Sequence, residues 1–324
     1  MSLLPTLPPR SPEQEVEPAE PSRWGSGVVG RARLTERSSL RRRAKDRLAT
    51  VVLTGFFLLA LVPLVSVLVT VVGAGVERMD ARFFTWSMRG VVGAGGGAYH
   101  AIAGTLVITA LTTIASVPVG ILTAVYLVEY GRSSRLARTV RFLVDVMTGI
   151  PSIVAGLFAS ALFVLFVGPG ARAGVIGAVA LSVLMVPVVV RSAEEMLRLV
   201  PDELREASLA LGVPTWRTIT RVVLPTAAGG IATGVTLAVA RIIGETAPLL
   251  VTVGTTTGTN LNPFSGRMAT LPVFSYYSWA TPGIPIDAYL DRAWAAALVL
   301  IVVVMLLNLL ARWISRRYSP HTGR

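Results

Sequence analysis

The sequence predicts an all-α, polytopic membrane protein with six transmembrane helices, and three observations carry that prediction. Of its 324 residues 53% are hydrophobic and only 15% are charged, whereas a soluble domain carries roughly 25% charged residues. The mean hydropathy is +0.66. Six apolar runs are long enough to cross a hydrocarbon core of about 30 Å, which takes about 20 helical residues. Only helices and closed barrels satisfy every backbone N–H and C=O in lipid. The net charge of +12 would also suit nucleic acid, but basic residues beside apolar segments set membrane orientation, and the flanking pattern decides for the membrane.

The elements follow in chain order. Residues 1–47 are rich in Pro, Glu, Ser and Arg and bury too little apolar surface to offset the entropy of ordering, so a disordered, basic cytoplasmic tail is expected. Its last part, RARLTERSSLRRRAKDR, suits anionic lipid or, as the preferred reading, serves as a positive-inside signal. The first apolar run starts too late for a secretory signal of roughly 15–30 residues, so the first span is expected to remain. A six-span domain is expected over 48–315, with spans at about 49–74, 101–129, 142–168, 174–192, 226–253 and 293–311, and a cytoplasmic tail at 316–324. The first two contain uncharged runs of 29 and 28 residues, which tilt or kinks must absorb. Pro118, Pro151 and Pro187 fall inside spans two, three and four, where a missing N–H kinks the helix or marks irregular backbone lining a cavity.

Of the 30 Lys and Arg residues, 23 lie in the N-terminal tail, the loops after spans two and four, and the C-terminal tail. The positive-inside rule therefore places both termini in the cytoplasm.

The loop after span four, 198–225, is charged and amphipathic, and it divides at Gly212 and Pro214 into two short helical pieces. Pro201 suits a first helical position, Asp202 and Glu203 complement the positive helix N-terminus, and Gly212 supplies a left-handed cap. Leu204, Ala207, Ser208 and Leu211 form one stripe; Trp216, Ile219 and Val223 form another, before Pro225 opens span five. Composition alone would lay such pieces on the lipid surface.

Span five contains ARIIGETAPLL, which places Arg241 and Glu245 four residues apart on one helix face at membrane depth. An ionisable group there costs about 2.5–3.5 kcal/mol even on the lenient scale, so it faces a cavity or a partner. The spacing fits a structural ion pair and an anion site equally, since a planar guanidinium suits phosphate oxygens. Asp145, ahead of Gly149-Ile150-Pro151-Ser152, is a further candidate because a broken helix can aim backbone dipoles at an anion; snorkelling or pairing with Arg141 is the preferred alternative. The run Gly93, Gly95, Gly96, Gly97 follows no strand and is expected to be a flexible external loop rather than a phosphate cradle.

Enzyme chemistry is poorly served. There is no cysteine, His100 and His321 are far apart, no GxxxxGK[ST] occurs and Lys45 is the sole lysine, so no thiolate, metal set or nucleotide-phosphate loop is available. A structural membrane scaffold is the remaining different-class alternative, and charges inside span five weigh against it.

Two sets of residues carry a resemblance. Glu206-Ala207-Ser208, three residues, Gly212, nine residues and Val222-Val223-Leu224-Pro225 resemble the EAA loop of ABC importer permeases, with Ser208 and Val222 as mild departures. Ala240, Arg241 and Gly244-Glu245-Thr246-Ala247-Pro248 resemble the AR-x-x-GETAP signature of phosphate importer permeases of the PstA type. FLVDVMTGIPSIVAGLF at 142–158, PVVVRSAEEMLRLVP at 187–201, LPVFSYY at 271–277 and AWAAALVLIVVVMLLNLLAR at 293–312 extend the likeness over most of residues 90–315. The paired PstC-type permease is the close rival, and GETAP favours PstA. The resemblance implies an ABC importer type I (MetI-like) permease fold and a transport subunit that is not itself an enzyme. It implies no cofactor on this chain, ATP and magnesium being used by a partner ATPase. Implied partners are a PstC-type permease, a PstB-type ATPase dimer and a PstS-type phosphate-binding protein. It also implies a role in phosphate movement for Arg241 and Glu245 only; Thr246 beside them, and Asp145 on the broken-helix reading, complete the expected substrate pathway. Glu206, Ala207, Ser208, Gly212, Leu224 and Pro225 are implied to couple the chain to the ATPase.

Overall fold

The computed structural model describes residues 40–131 and 134–318, and every regular element among them is helical. Most of the expected tail 1–47, and 319–324 of the C-terminal tail, lie outside the described residues. Leu40 to Arg47 are not tail but the opening of α1 (Leu40–Val76). The chain divides into two compact units at Pro63, inside this helix. In the first unit, the described part of α1 presents Leu48, Val51, Phe56 and Phe57 as exposed apolar side chains, a surface that suits hydrocarbon.

The second unit begins with the rest of α1 and the single turn α2 (Ala81–Thr85), whose first turn is capped by the Asp80 carboxylate accepting from the Phe83 N–H at 2.9 Å. The second span, α3 (Tyr99–Val125), passes through Pro118 and continues as a π turn, Tyr126–Tyr130. The expected third span is not one helix. It comprises α4 (Arg135–Thr148) and α5 (Ser152–Val167), bent by 108° across the intervening residues. Pro151 cannot donate to the carbonyl four residues back, and it drives Ile150 away from helical angles, so the chain turns where Gly149 closes α4. Among the described residues five helices are long and apolar enough to cross a membrane, or six spans if the bent pair counts as one.

The centre of this unit is α6 (Gly174–Arg198), which packs against α3, α4, α5 and two helices introduced below. Its buried residues Leu181, Leu184, Met185 and Val189 meet Ile108 of α3 in the main apolar cluster. Small residues such as Ala178, Ala180 and Ala193 are buried along it, and in membranes small residues allow the close backbone approach that dispersion needs. After α6 come α7 (Asp202–Ala210), α8 (Thr215–Thr218), a π turn Ile219–Val223 and α9 (Leu224–Ile243). The second piece of the expected insert is therefore not a separate helix: Thr215–Ile243 forms one continuous span. The expected 226–253 span ends early, at Ile243, and resumes as α10 (Ala247–Thr252). The neighbours of α6 are completed by α9 and α10. A further short helix, α11 (Leu271–Ala280), precedes α12 (Ile286–Tyr318), which is longer at both ends than the expected 293–311.

One contact fixes α11 against the start of α3. Thr105 donates to the Ala101 carbonyl in its own helix and accepts from the Leu271 N–H at 2.8 Å, supplying a partner for the first amide of α11. The approach is possible because Gly104 has no side chain; a Cβ there would lie 2.0 Å from the Ala269 carbonyl oxygen. Gly104→Val is expected to force this packing apart at roughly 1–3 kcal/mol or more. The thermal midpoint of the purified protein should fall by several degrees, and an unchanged midpoint would show that this contact contributes nothing to the fold.

Candidate functional site

The GETAP segment is a break, and its proline explains it. Pro248 has no N–H for the Gly244 carbonyl, and its ring would clash with that carbonyl if the helix continued. Gly244 instead caps α9, donating to the Arg241 carbonyl, while Thr246 caps α10 and donates weakly to the Gly244 carbonyl at 3.4 Å. Arg241 sits in the last turn of α9, where a cation complements the negative end of the helix dipole. Glu245 falls outside any helix, so the expected i,i+4 geometry is lost. Neither side chain has an ion-pair or hydrogen-bond partner among the described residues. The structural ion pair anticipated from spacing is thus not formed. Arg241 is exposed, and Glu245 and Thr246 are half-buried. Thr246 lines a cavity of about 460 Å³ with Gly244, Leu250, Ser275, Tyr276 and Leu300. An unpaired guanidinium next to broken backbone can accept an oxyanion without first giving up a carboxylate.

Asp145 does not join Arg241 and Glu245. It pairs with Arg191 of α6, not with Arg141, which binds Glu194 at 2.9 Å and the Leu127 carbonyl at 2.8 Å. Glu194 also pairs with Arg198 one turn on. These groups, with Glu195, surround a cavity of about 180 Å³ at the C-terminal end of α6. Both Asp145 and Arg191 are about half exposed, at 52% and 49%, so their pair contributes only about 0–1 kcal/mol.

The insert is built to stand out. Pro201 closes the chain after α6 and precedes α7, with Asp202 and Glu203 in the first turn. Gly212 then takes φ +73 in the turn after α7, a left-handed angle that side chains disfavour. The Ser208 hydroxyl meets that of Thr218 at 2.8 Å, tying the two arms of the turn together. Ser208, the departure from the family pattern, therefore faces inward. Outward-facing residues include Leu204, Glu206, Ala207, Leu209, Leu211 and Trp216. Leu224 and Pro225 lie apart from this face, in the first turn of α9, where the wider π turn receives the Leu224 N–H at Ile219 and accommodates the proline.

Residues 116–323 match the family described as binding-protein-dependent transport system inner membrane component. The chain belongs to that family. It is 49% identical over 279 residues to phosphate transport system permease protein PstA 1 of Mycobacterium tuberculosis, covering 85% of this chain and 90% of the relative. It is 40% identical over 276 residues to phosphate transport system permease protein PstA of Yersinia pestis, covering 84% and 90%. In structure it is similar to a chain of the inward-facing MetNI methionine ABC transporter, with TM-score 0.54, 21% identity and coverage of 74% and 100%. A chain of a bacterial alginate ABC transporter gives TM-score 0.61, 18% identity and coverage of 87% and 99%. As a member of the inner membrane component family, the chain is a transport component rather than an enzyme, with the all-helical importer-permease fold.

The family motif alone conceals how its insert is anchored. Arg205, one residue before the EAA-like triplet, is buried and makes a paired fork on Glu129 of the first π turn, with its closest contact at 2.9 Å. It also donates to the Leu197 and Val200 carbonyls, at 2.8 and 2.6 Å, and to Asp202. The sequence places Glu129 and Arg205 76 positions apart, so no periodicity signals the pair. Their side chains are only 6% and 9% exposed, and removing one partner of such a pair costs about 3–5 kcal/mol by stranding the other charge. Arg205→Ala should lower the thermal midpoint sharply, and adding Glu129→Gln should recover part of the loss. A double variant as unstable as Arg205→Ala alone would assign the arginine's importance to the carbonyl contacts instead.

Proposed function

We propose that this chain is the PstA-type permease subunit of an ATP-driven phosphate importer. Supporting this are relatives named as phosphate transport permeases at 40–49% identity over most of the chain. The observation that carries it is the GETAP break, which leaves the Arg241 guanidinium without a carboxylate partner at the end of a span. Arg241 binds phosphate in passage, Glu245 limits how tightly the anion is held, and Thr246 offers a hydroxyl at the cavity. Conduction requires such weak, shared binding. Asp145 and Arg191 act elsewhere, as a light electrostatic latch between α4 and α6 next to the insert.

Both termini and the insert face the cytoplasm in this reading, in line with the Lys and Arg distribution. The outward face of α7, with Glu206, Ala207 and Leu211, docks on a PstB-type ATPase. A PstC-type permease completes the pathway and a PstS-type protein delivers phosphate. ATP binding closes the ATPase pair and moves the insert, and Arg205 passes that movement to α3 through Glu129.

Arg241→Ala should reduce labelled phosphate uptake by about tenfold or more, the loss expected from a charge-assisted contact, and Glu245→Gln should also alter uptake. If both variants import at the normal rate with normal expression, Arg241 and Glu245 are not on the pathway. Gly212→Pro cannot adopt the observed φ because proline is held near about −65°, so the protein should insert but lose ATP-driven uptake. Normal uptake in that variant would remove the coupling role of the turn.

A further inference from the structure

We infer that Arg292 and its surroundings form a second oxyanion site, at the end of α3 remote from the insert. This inference rests on the phosphate-import reading. Arg292 lies on α12 and is 1% exposed. Its Nη1 donates to the Gly93 and Gly95 carbonyls at 2.9 and 2.8 Å, so the glycine run expected to be flexible is held in place. The Tyr289 ring stacks on the guanidinium with its centroid 4.2 Å from Cζ. Neither Asp291 nor any other carboxylate forms an ion pair with Arg292 among the described residues. Among the described residues Nε and Nη2 have no partner within hydrogen-bond geometry.

Those two atoms form one edge of the guanidinium, with parallel N–H bonds that match two oxygens of a carboxylate or phosphate. A buried cation without a counter-ion is costly, and a buried arginine with this edge unfilled is matched chemically by an oxyanion. The space exists: Arg292 lines a cavity of about 280 Å³ together with His100, Thr255, Thr257, Ser278 and Tyr289. Among the described residues the His100 Nδ1 is likewise buried without a partner, and no hydrogen bond occupies the hydroxyls of Thr255, Thr257 or Ser278. The ligand class is a small tetrahedral oxyanion, phosphate in an importer of phosphate, held before it reaches Arg241.

Equilibrium binding of radiolabelled phosphate to the assembled permease and ATPase complex, without its binding protein, tests the site. Arg292→Lys keeps the charge and can donate to the Gly93 and Gly95 carbonyls, but it lacks the paired edge. Its affinity for phosphate should fall about tenfold, the loss of one charge-assisted pair. Sulfate should displace the label from the native complex more effectively than acetate. A native complex that binds no label, acetate competing as well as sulfate, or Arg292→Lys binding as the native protein does, overturns the site. Should Arg292→Lys fail to assemble, the Thr255→Ala, Thr257→Ala double variant decides, with affinity expected to fall about threefold; unchanged affinity there also overturns it. Uptake by Arg241→Ala is read separately, so the two sites fail or stand independently.

Discussion

Backbone hydrogen bonding is the constraint on which this structure depends. In hydrocarbon an N–H or C=O has no water to turn to, so the chain stays helical unless another protein group takes the freed partner. Proline removes a donor, yet its consequence differs along this chain. The helices run through Pro118 and Pro187, but the chain breaks at Pro151 and ahead of Pro248. At both breaks a glycine stands just before the proline segment, Gly149 capping α4 and Gly244 capping α9. Proline and a ready cap together end a helix where proline alone does not.

The freed carbonyls then explain the placement of the arginines. Arg141 binds the Leu127 carbonyl in the π turn, and Arg205 binds those of Leu197 and Val200 at the end of α6. Arg78 binds the Gly96 carbonyl at 2.6 Å, and Arg292 those of Gly93 and Gly95. A guanidinium has five donors in a fixed plane, which lets one side chain satisfy several carbonyls and a carboxylate together. Arg241 is the contrast, since it sits at a break but its side chain engages neither a carbonyl nor a carboxylate among the described residues.

Much of this was legible in the sequence because it follows from local chemistry. Apolar length located the apolar segments but not the breaks in the third and fifth, Gly212 gave the left-handed turn, and the EAA-like and GETAP segments marked the two regions of interest. What escaped was long-range or depended on one hydrogen bond. A spacing of four between Arg241 and Glu245 implied a shared helix face, but Pro248 ended the helix between them. Asp145 was matched with its sequence neighbour Arg141, whereas packing of α4 on α6 offered Arg191 to one and Glu194 to the other. Arg292 carried no motif, and its glycine partners lie almost 200 positions away.

Arg205 and Thr105 also give the fold a mechanical axis. The insert is held to the continuation of α3 through Arg205 and Glu129, and α11 is held to the beginning of α3 through Thr105. From Thr105 to Glu129 the chain stays helical, a rise of roughly 36 Å at about 1.5 Å per residue. A helix of that length bends under side load far more readily than it shortens, because shortening would compress every hydrogen bond in series. α3 is thus the stiff element between the insert and α11, whose residues Ser275 and Tyr276 border the cavity at the GETAP break and whose Ser278 borders the cavity at Arg292. A single helix thus runs from the residue that holds the insert to the one that holds α11, which borders both cavities.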